Sequence, residues 1–207
     1  MQHQSGDRRS KKPIAATLIL FLISFGIWVF LYGRGESFRA ITGWHIPAAD
    51  LFFRYITHLG DGIFILVLAA VLVVFRRTFL SIGIVASYLL SGLMAQVGKR
   101  LLNMPRPKAF FTGMGETVYE VPGVDVHLAG SFPSGHTASV FALAVFLILA
   151  LPYRWYSWLI LLVAAMVGYS RVYLSQHFPI DVWAGAAIGT VSGIAVHYFL
   201  ERRMGRK

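Results

Sequence analysis

Six long stretches of this sequence carry no charged side chain, and they constrain the fold more than any other feature. The stretches are residues 14–32, 62–75, 79–98, 138–151, 155–170 and 182–200. A helix needs about 20 mostly apolar residues to cross a membrane, and the shorter stretches reach that length by extending into their flanking residues. The pattern therefore predicts an all-α integral membrane bundle of six transmembrane helices, formed by a single domain, residues 1–207.

Composition argues against an ordinary soluble domain. Hydrophobic residues make up 57% of the chain and charged residues 14%, whereas about a quarter of the residues in soluble domains are charged. A soluble helical protein with a buried core is the competing interpretation, but six apolar stretches would leave it almost no polar surface. A signal peptide is the other interpretation of the first stretch, which is long for one and lacks an A-x-A cleavage pattern.

The net charge of +10 would suit a nucleic acid partner, but the basic residues cluster at predicted helix ends, so none is expected. Six helices place both termini on one side of the membrane, and the positive-inside rule makes that side cytoplasmic, with residues 1–12 as a basic tail. The absence of cysteine excludes disulfides and thiolate metal ligands. Eleven of the nineteen lysines and arginines fall on the cytoplasmic side: Arg8, Arg9, Lys11, Lys12, Arg76, Arg77, Arg154, Arg202, Arg203, Arg206 and Lys207.

The last four predicted helices bring polar groups to one face of the membrane, because their directions alternate. The third is predicted to end at Lys99, the fourth to begin near Ser134, the fifth to end at Arg171 and the sixth to begin near His177. Three of the polar groups are the cations Lys99, Arg106 and Arg171. Clustered cations repel one another unless an anion lies among them, and arginine and lysine both bind phosphate. The face gathers Lys99, Arg106, Ser134, Gly135, His136, Arg171, His177 and Asp181.

The spacing of these residues also predicts roles. His177 and Asp181 are four residues apart, so at a helix start the carboxylate can fix the imidazole tautomer and leave the other nitrogen nucleophilic. His136 has no such partner nearby in sequence and is free to act as an acid. Ser134 and Gly135 open a helix, whose backbone N–H groups point at an anion. Taken singly, such residues are more often interfacial anchors or N-caps.

Three motifs carry a resemblance to a known family. They are KRLLNMPRP at residues 99–107, PSGH at 133–136 and SRVYLSQHFPID at 170–181. In this order, and without departure, they resemble the motifs of the type-2 phosphatidic acid phosphatase family, whose soluble relatives are the vanadium haloperoxidases. The resemblance covers about residues 50–200.

The resemblance implies metal-independent hydrolysis of a membrane lipid phosphate or pyrophosphate, with no cofactor. His177 would be the nucleophile that forms a phosphohistidine, Asp181 would orient it, and His136 would protonate the leaving oxygen. The phosphate oxygens would be held by Lys99, Arg106, Ser134, Gly135 and Arg171.

The segment 100–131 is longer than most connections, and we interpret it as an extracytoplasmic cap over the site, with short strands within residues 117–128. Its acidic residues and histidine (Glu116, Glu120, Asp125 and His127) match no metal-ligand spacing, so no metal is expected. Arg54, His58 and Asp61 precede the second helix and are interpreted as interfacial residues rather than as the substrate's access route. Gly185, Gly189 and Gly193 predict close packing of the last helix, within the bundle rather than against a second subunit.

The expected enzyme is an integral protein of the bacterial inner membrane with its site facing away from the cytoplasm. Undecaprenyl pyrophosphate is the favoured substrate, because carrier lipids of envelope synthesis are released as pyrophosphates on that face. Phosphatidylglycerol phosphate, phosphatidic acid and lipid A are the alternatives. A non-catalytic lipid transporter or binder is disfavoured because binding needs cations but no oriented nucleophile, and vanadate-dependent oxidation because the family's oxidases are soluble. The oligomeric state is open.

Overall fold

A computed structural model describes residues 10–204, which form eight α-helices and one 3-10 turn. No strand occurs in this part of the chain, so the strands expected within residues 117–128 are not formed. The helices are α1 (Lys12–Thr42), α2 (Pro47–Ile56), α3 (Gly62–Val74), α4 (Thr78–Leu102), α5 (Pro107–Thr112), α6 (Gly135–Ala150), α7 (Trp155–Tyr173) and α8 (Pro179–Met204), and the 3-10 turn is Thr57–Gly60.

Four helical stretches of the described chain are long and apolar enough to cross a membrane: α1, the segment Thr78–Thr112, α7 and α8. The helices on either side of Asp61 meet at an angle of 58°, and together they form a fifth candidate span if the pair counts as one. The remaining predicted span corresponds to α6, which has only 16 residues. The all-α membrane architecture is confirmed to this extent, and the number of six spans stays a prediction.

Helix α6 lies at the centre of the bundle, packed against α4, α7 and α8. Most of its side chains are buried, while α1 and α3 expose many large apolar side chains, as lipid-facing helices do. The three glycines of α8 lie directly against backbone carbonyls of α6 and of its N-cap residue, where a Cβ atom would clash. The predicted close packing of Gly185, Gly189 and Gly193 is therefore made within the bundle.

The loop between α4 and α6, residues 103–134, is fastened to the helix ends around it. Asp50 of α2 accepts hydrogen bonds from the Tyr119 hydroxyl of the loop at 2.9 Å and from the Tyr173 hydroxyl of α7 at 2.6 Å. Ser175 donates to the Tyr119 carbonyl at 2.8 Å, and Gln176 Nε2 donates to the Asp125 carbonyl at 2.7 Å. These bonds tie the loop to the turn that joins α7 to α8.

The four loop residues considered as metal ligands have separate positions. Glu116 pairs with Arg39 of α1 at 2.7 Å, and Glu120 pairs with Lys108 at 2.9 Å. Asp125 and His127 instead line a cavity between the loop and the helix ends. The loop therefore forms one wall of this cavity.

Candidate active site

A cavity of about 500 Å³ lies where α4, α6, α7 and the 3-10 turn meet the loop and the turn that precedes α8. The residues predicted to converge do so: the three cations and both histidines line this cavity. Ser134, Gly135 and Asp181 do not line it, but a Cβ atom on Gly135 would lie 3.7 Å from Lys99 Nζ. The lining residues singled out by sequence are Lys99, Arg106, His136, Arg171 and His177.

His177 lies in the turn between α7 and α8, not on the helix as predicted, because α8 begins at Pro179. The turn is held by the Arg171 carbonyl, which accepts hydrogen bonds from the backbone N–H groups of Gln176 and His177, both at 3.0 Å. The side chain is buried, and its Nδ1 is 3.5 Å from Asp181 Oδ2. This is longer than a hydrogen bond, and shortening by about half an ångström would make one.

Asp181 is fixed by other donors. Its Oδ2 accepts from the Phe178 N–H at 2.9 Å and from the Ser131 hydroxyl. The side chain is fully buried in the first turn of α8. The carboxylate is therefore held beside His177, and its orienting role stays a prediction.

The electrostatic environment keeps His177 neutral. Burial lowers the pKa of the His177 imidazole to about 3, and the neighbouring carboxylate of Asp181 opposes this shift. The nearby guanidinium groups of Arg106 and Arg171 favour the neutral form as well. A neutral imidazole keeps a lone pair on one nitrogen, which is the state that a nucleophile requires.

Two of the three cations are arginines that are only 7% exposed. Arg106 donates through Nε to the Ala129 carbonyl at 3.0 Å and through NH1 to Gln176 Oε1 at 2.8 Å. Arg171 donates through NH1 to Thr57 Oγ1 at 2.6 Å, while its buried Nε has no partner among the described residues. Burying guanidinium groups without a counter-charge is costly, so the cavity is suited to an anion.

His136 lies in the first turn of α6 and lines the same cavity as the cations. Ser134 is the N-cap, and its hydroxyl oxygen accepts from the Thr137 N–H, so the expected helix start is confirmed. The His136 ring has a partner after all: its Nε2 is 2.5 Å from Oδ1 of Asp61. Asp61 also lines the cavity, so its interpretation as an interfacial residue was wrong.

Helix alternation could have located Asp61, because it places the start of α3 on the same face as the starts of α6 and α8. Arg54 and His58 line the same cavity, which corrects their interfacial interpretation too. Arg34 was missed altogether. Its NH2 donates to the Pro105 carbonyl at 2.9 Å, and no sequence signal marked that contact across 71 residues.

The described cavity thus combines three cations, a neutral imidazole and a second histidine, a set of charges that is suited to a phosphate. The family model of the PAP2 superfamily matches residues 80–205, more than half of the chain. The chain belongs to the PAP2 superfamily. All the motif residues from Lys99 to Asp181 lie inside the matched segment, whereas Arg34 and Asp61 precede it.

Several PAP2 relatives are phosphatases of lipids. An undecaprenyl-diphosphatase of Sulfolobus acidocaldarius is 30% identical over 181 residues, which cover 84% of this chain and 84% of that protein. A lipid A 4'-phosphatase of Bacteroides thetaiotaomicron is 44% identical over 73 residues, 35% of this chain and 32% of that one. The matched family and these relatives identify the chain as a membrane lipid phosphatase.

Two crystal structures share the PAP2 fold. LpxE of Aquifex aeolicus superposes with a TM-score of 0.69 and 30% identity, over 79% of this chain and 93% of that one. A phosphatidylglycerolphosphate phosphatase of Bacillus subtilis superposes with a TM-score of 0.68 over 96% of this chain and 100% of that one. Its identity is 24%, so it supports the fold alone.

Proposed function

We propose that this PAP2 phosphatase hydrolyses a lipid pyrophosphate, undecaprenyl pyrophosphate being the favoured substrate, through a phosphohistidine on His177. The observation that carries the mechanism is a buried, neutral His177 in a cavity shared with three cations and a second histidine. A site that only bound phosphate would need the cations, but not a histidine held in the neutral form beside a fixed carboxylate.

In the first step, the Nε2 lone pair of His177 attacks the terminal phosphorus, and the bond from phosphorus to the leaving oxygen breaks. The leaving group takes the bonding electrons and receives a proton from His136. Asp181 stabilises the positive charge that develops on His177. Lys99, Arg106 and Arg171 neutralise the equatorial phosphate oxygens, together with backbone N–H groups at the start of α6.

In the second step, a water molecule attacks the phosphohistidine. His136, now neutral, takes one proton from this water, and the bond from nitrogen to phosphorus breaks with its electrons returning to His177. Inorganic phosphate is released, and both histidines regain their starting protonation states. The fixed cations supply the charge stabilisation that a metal ion supplies in other phosphatases.

A second cavity gives the lipid a route to this site. It has a volume of about 520 Å³ and shares Asp61, Lys99 and His136 with the first cavity. Its other walls include Leu89 and Leu93 of α4, which are exposed apolar side chains. A hydrocarbon chain attached to the leaving oxygen beside His136 would pass through this groove into the bilayer.

The proposed topology has six spans, in which α2 with α3 forms one bent span and α6 a short one. Both termini are then cytoplasmic, and the site lies on the extracytoplasmic side of a bacterial inner membrane. The described basic residues at the cytoplasmic ends include Arg76, Arg77, Arg154 and Arg202. The predicted basic tail lies largely outside the described residues, as do Arg8, Arg9, Arg206 and Lys207.

Substrate choice rests on the orientation and on the long match to the undecaprenyl-diphosphatase. The test is phosphate release by purified protein from undecaprenyl pyrophosphate, phosphatidylglycerol phosphate, phosphatidic acid and lipid A in matched micelles. We expect kcat/KM to be highest for the pyrophosphate. If kcat/KM for another lipid is more than about tenfold higher, roughly 1.4 kcal/mol of transition-state stabilisation, the proposed substrate is wrong. The proposed reaction mechanism would still stand.

The same assay tests metal independence. Activity is expected to survive excess chelator and to be inhibited by vanadate, which adopts the geometry of a phosphoryl group under attack. Loss of activity in chelator that a divalent ion restores would overturn the mechanism. Tight binding of these lipids without any phosphate release would instead favour the non-catalytic binder.

A further inference from the structure

Asp61 contacts two histidines at once. Its Oδ1 is 2.5 Å from Nε2 of His136, and its Oδ2 is 2.7 Å from Nδ1 of His58. The His136 ring faces the cavity, while the His58 side chain is 64% exposed. The two oxygens of one carboxylate thus connect the predicted acid of the reaction to a surface imidazole.

The backbone around Asp61 is held against the start of α6. A Cβ atom on Gly60 would lie 2.9 Å from the His136 carbonyl oxygen and 3.1 Å from Val167 Cγ1. Only glycine allows this approach. The same 3-10 turn provides Thr57, whose hydroxyl oxygen accepts the hydrogen bond from Arg171. The turn therefore sets the distance from Asp61 to His136 and also supports a phosphate-binding arginine.

We propose that Asp61 is the positioning residue of His136 and that His58 holds Asp61 in the required rotamer. This inference rests on the proposed function, in which His136 is the acid. The Nε2–H of His136 donates to Asp61, so Nδ1 is the nitrogen that gives a proton to the leaving oxygen. In the second step Nδ1 takes a proton from the attacking water, and Nε2–H stays on the carboxylate throughout.

The charges around His136 explain why it needs this carboxylate. His136 is partly buried and shares its cavity with Lys99 of α4 and Arg171 of α7, and both the burial and the two cations disfavour the imidazolium form. Asp61, from the segment that precedes α3, contacts the ring and opposes these effects. The two histidines of the site are thus supported by separate carboxylates: Asp181 orients His177, which burial and the two arginines keep neutral, and Asp61 favours the protonated form of His136.

This division of roles predicts a dependence on the leaving group. A lipid monoester leaves as an alkoxide, which is a strong base and needs a proton in the transition state. A lipid pyrophosphate leaves as a phosphate monoester, which needs one much less. Removal of the Asp61 charge should therefore slow monoester hydrolysis more than pyrophosphate hydrolysis.

The test uses Asp61→Asn, which keeps an oxygen that can accept from His136 Nε2–H but removes the charge. We expect kcat/KM to fall by at least tenfold for phosphatidic acid and by less than threefold for undecaprenyl pyrophosphate. The alkaline limb of the pH profile should also move to lower pH, because the acid loses its proton more readily. His58→Gln should produce the same selectivity with a smaller loss, of about twofold to threefold for the monoester.

Glu36→Gln is the matched control, since it removes an exposed carboxylate that pairs with Arg39 and not with the site. Equal losses for both lipids in Asp61→Asn, with no shift in the pH profile, would show a merely structural role and overturn the inference. If Asp61→Asn does not fold, His58→Gln must show the larger loss of kcat/KM for phosphatidic acid than for the pyrophosphate. The absence of this difference in His58→Gln would also overturn the inference. A wild-type protein that hydrolyses neither lipid would refute the proposed function instead.

Discussion

The guanidinium carbon of Arg34 lies 4.2 Å from the centre of the Phe178 ring. Phe178 follows the proposed nucleophile in sequence, and the Pro105 carbonyl that Arg34 also contacts precedes Arg106. One side chain from α1 therefore connects the turn that carries His177 with the segment that carries Arg106, an arginine proposed to bind phosphate. Arg34 reaches this position just after Gly33, whose φ of 69° interrupts α1.

Arg34→Ala is therefore expected to lower kcat by about tenfold with a smaller effect on KM, because small displacements of reacting groups are costly. Arg39→Ala is the matched control: Arg39 lies on the same helix and stacks on Phe111, at 4.9 Å, away from His177. The measurement is the steady-state kcat and KM of the two variants. Equal effects of both substitutions would show that Arg34 contributes only to general packing.

The two histidines are expected to respond differently to substitution. His177→Ala should reduce turnover by more than about a thousandfold while the protein stays folded, because His177 is the proposed nucleophile. His136→Ala should slow hydrolysis by about a hundredfold or more for phosphatidic acid and less for a pyrophosphate. The measurement is single-turnover phosphate release for both lipids. Wild-type rates in His177→Ala would refute the phosphohistidine mechanism.

The lowered pKa of His177 predicts a pH dependence of stability. The unfolded chain binds a proton at an ordinary histidine pKa near 6.5, whereas the folded protein leaves His177 neutral down to about pH 3. Between these values the unfolded state binds more protons, so the free energy of unfolding falls as the pH is lowered. From pH 7 to pH 5 the loss from this one group is about 2 kcal/mol.

His177→Gln provides the comparison, because glutamine does not titrate. Melting temperatures in detergent, measured from pH 7 to pH 5, should fall more steeply for the wild type than for this variant, by a few degrees. Parallel curves would mean that His177 is already protonated in the folded protein at pH 5.

The route proposed for the lipid chain can be blocked at Gly92. A Cβ atom at this position would have no neighbour within 4 Å, so Gly92→Phe should fill the groove without disturbing the helix packing. Lipid hydrolysis should fall by about tenfold or more, while hydrolysis of a short water-soluble phosphate ester should be nearly unchanged. Equal losses for both substrates would place the lipid chain elsewhere.

The orientation predicts that tags at either terminus are cytoplasmic and that the loop 103–134 is exposed to the outside. Protease added to intact spheroplasts should cut the loop and spare both tags. Cleavage of the loop from the cytoplasmic side alone would reverse the proposed orientation.

The sequence located the motif residues well because chain direction alternates in a membrane bundle, which brings Lys99, His136, Arg171 and His177 to one face whatever their detailed packing. It failed where contacts depend on the path of loops. The pairing of Asp61 with His136 joins residues 75 positions apart, and the Arg34 contact depends on a break in α1 that a uniform apolar stretch does not reveal. The strands expected in residues 117–128 do not form, and side-chain hydrogen bonds of Tyr119 and Gln176 hold that loop instead.

The repulsion among the cations in the cavity links the stability of the folded protein to its affinity for the phosphate product. Folding brings Arg106, Arg171 and Lys99 together against their mutual repulsion, and any phosphate that enters relieves it. The folded protein should therefore be more resistant to heat in phosphate buffer than in chloride at equal ionic strength. Because bound phosphate relieves the repulsion, it is also released slowly. An enzyme with less repulsion among its cations would bind phosphate less tightly and release it sooner. Some instability of the resting protein thus follows directly from its capacity to hold the substrate.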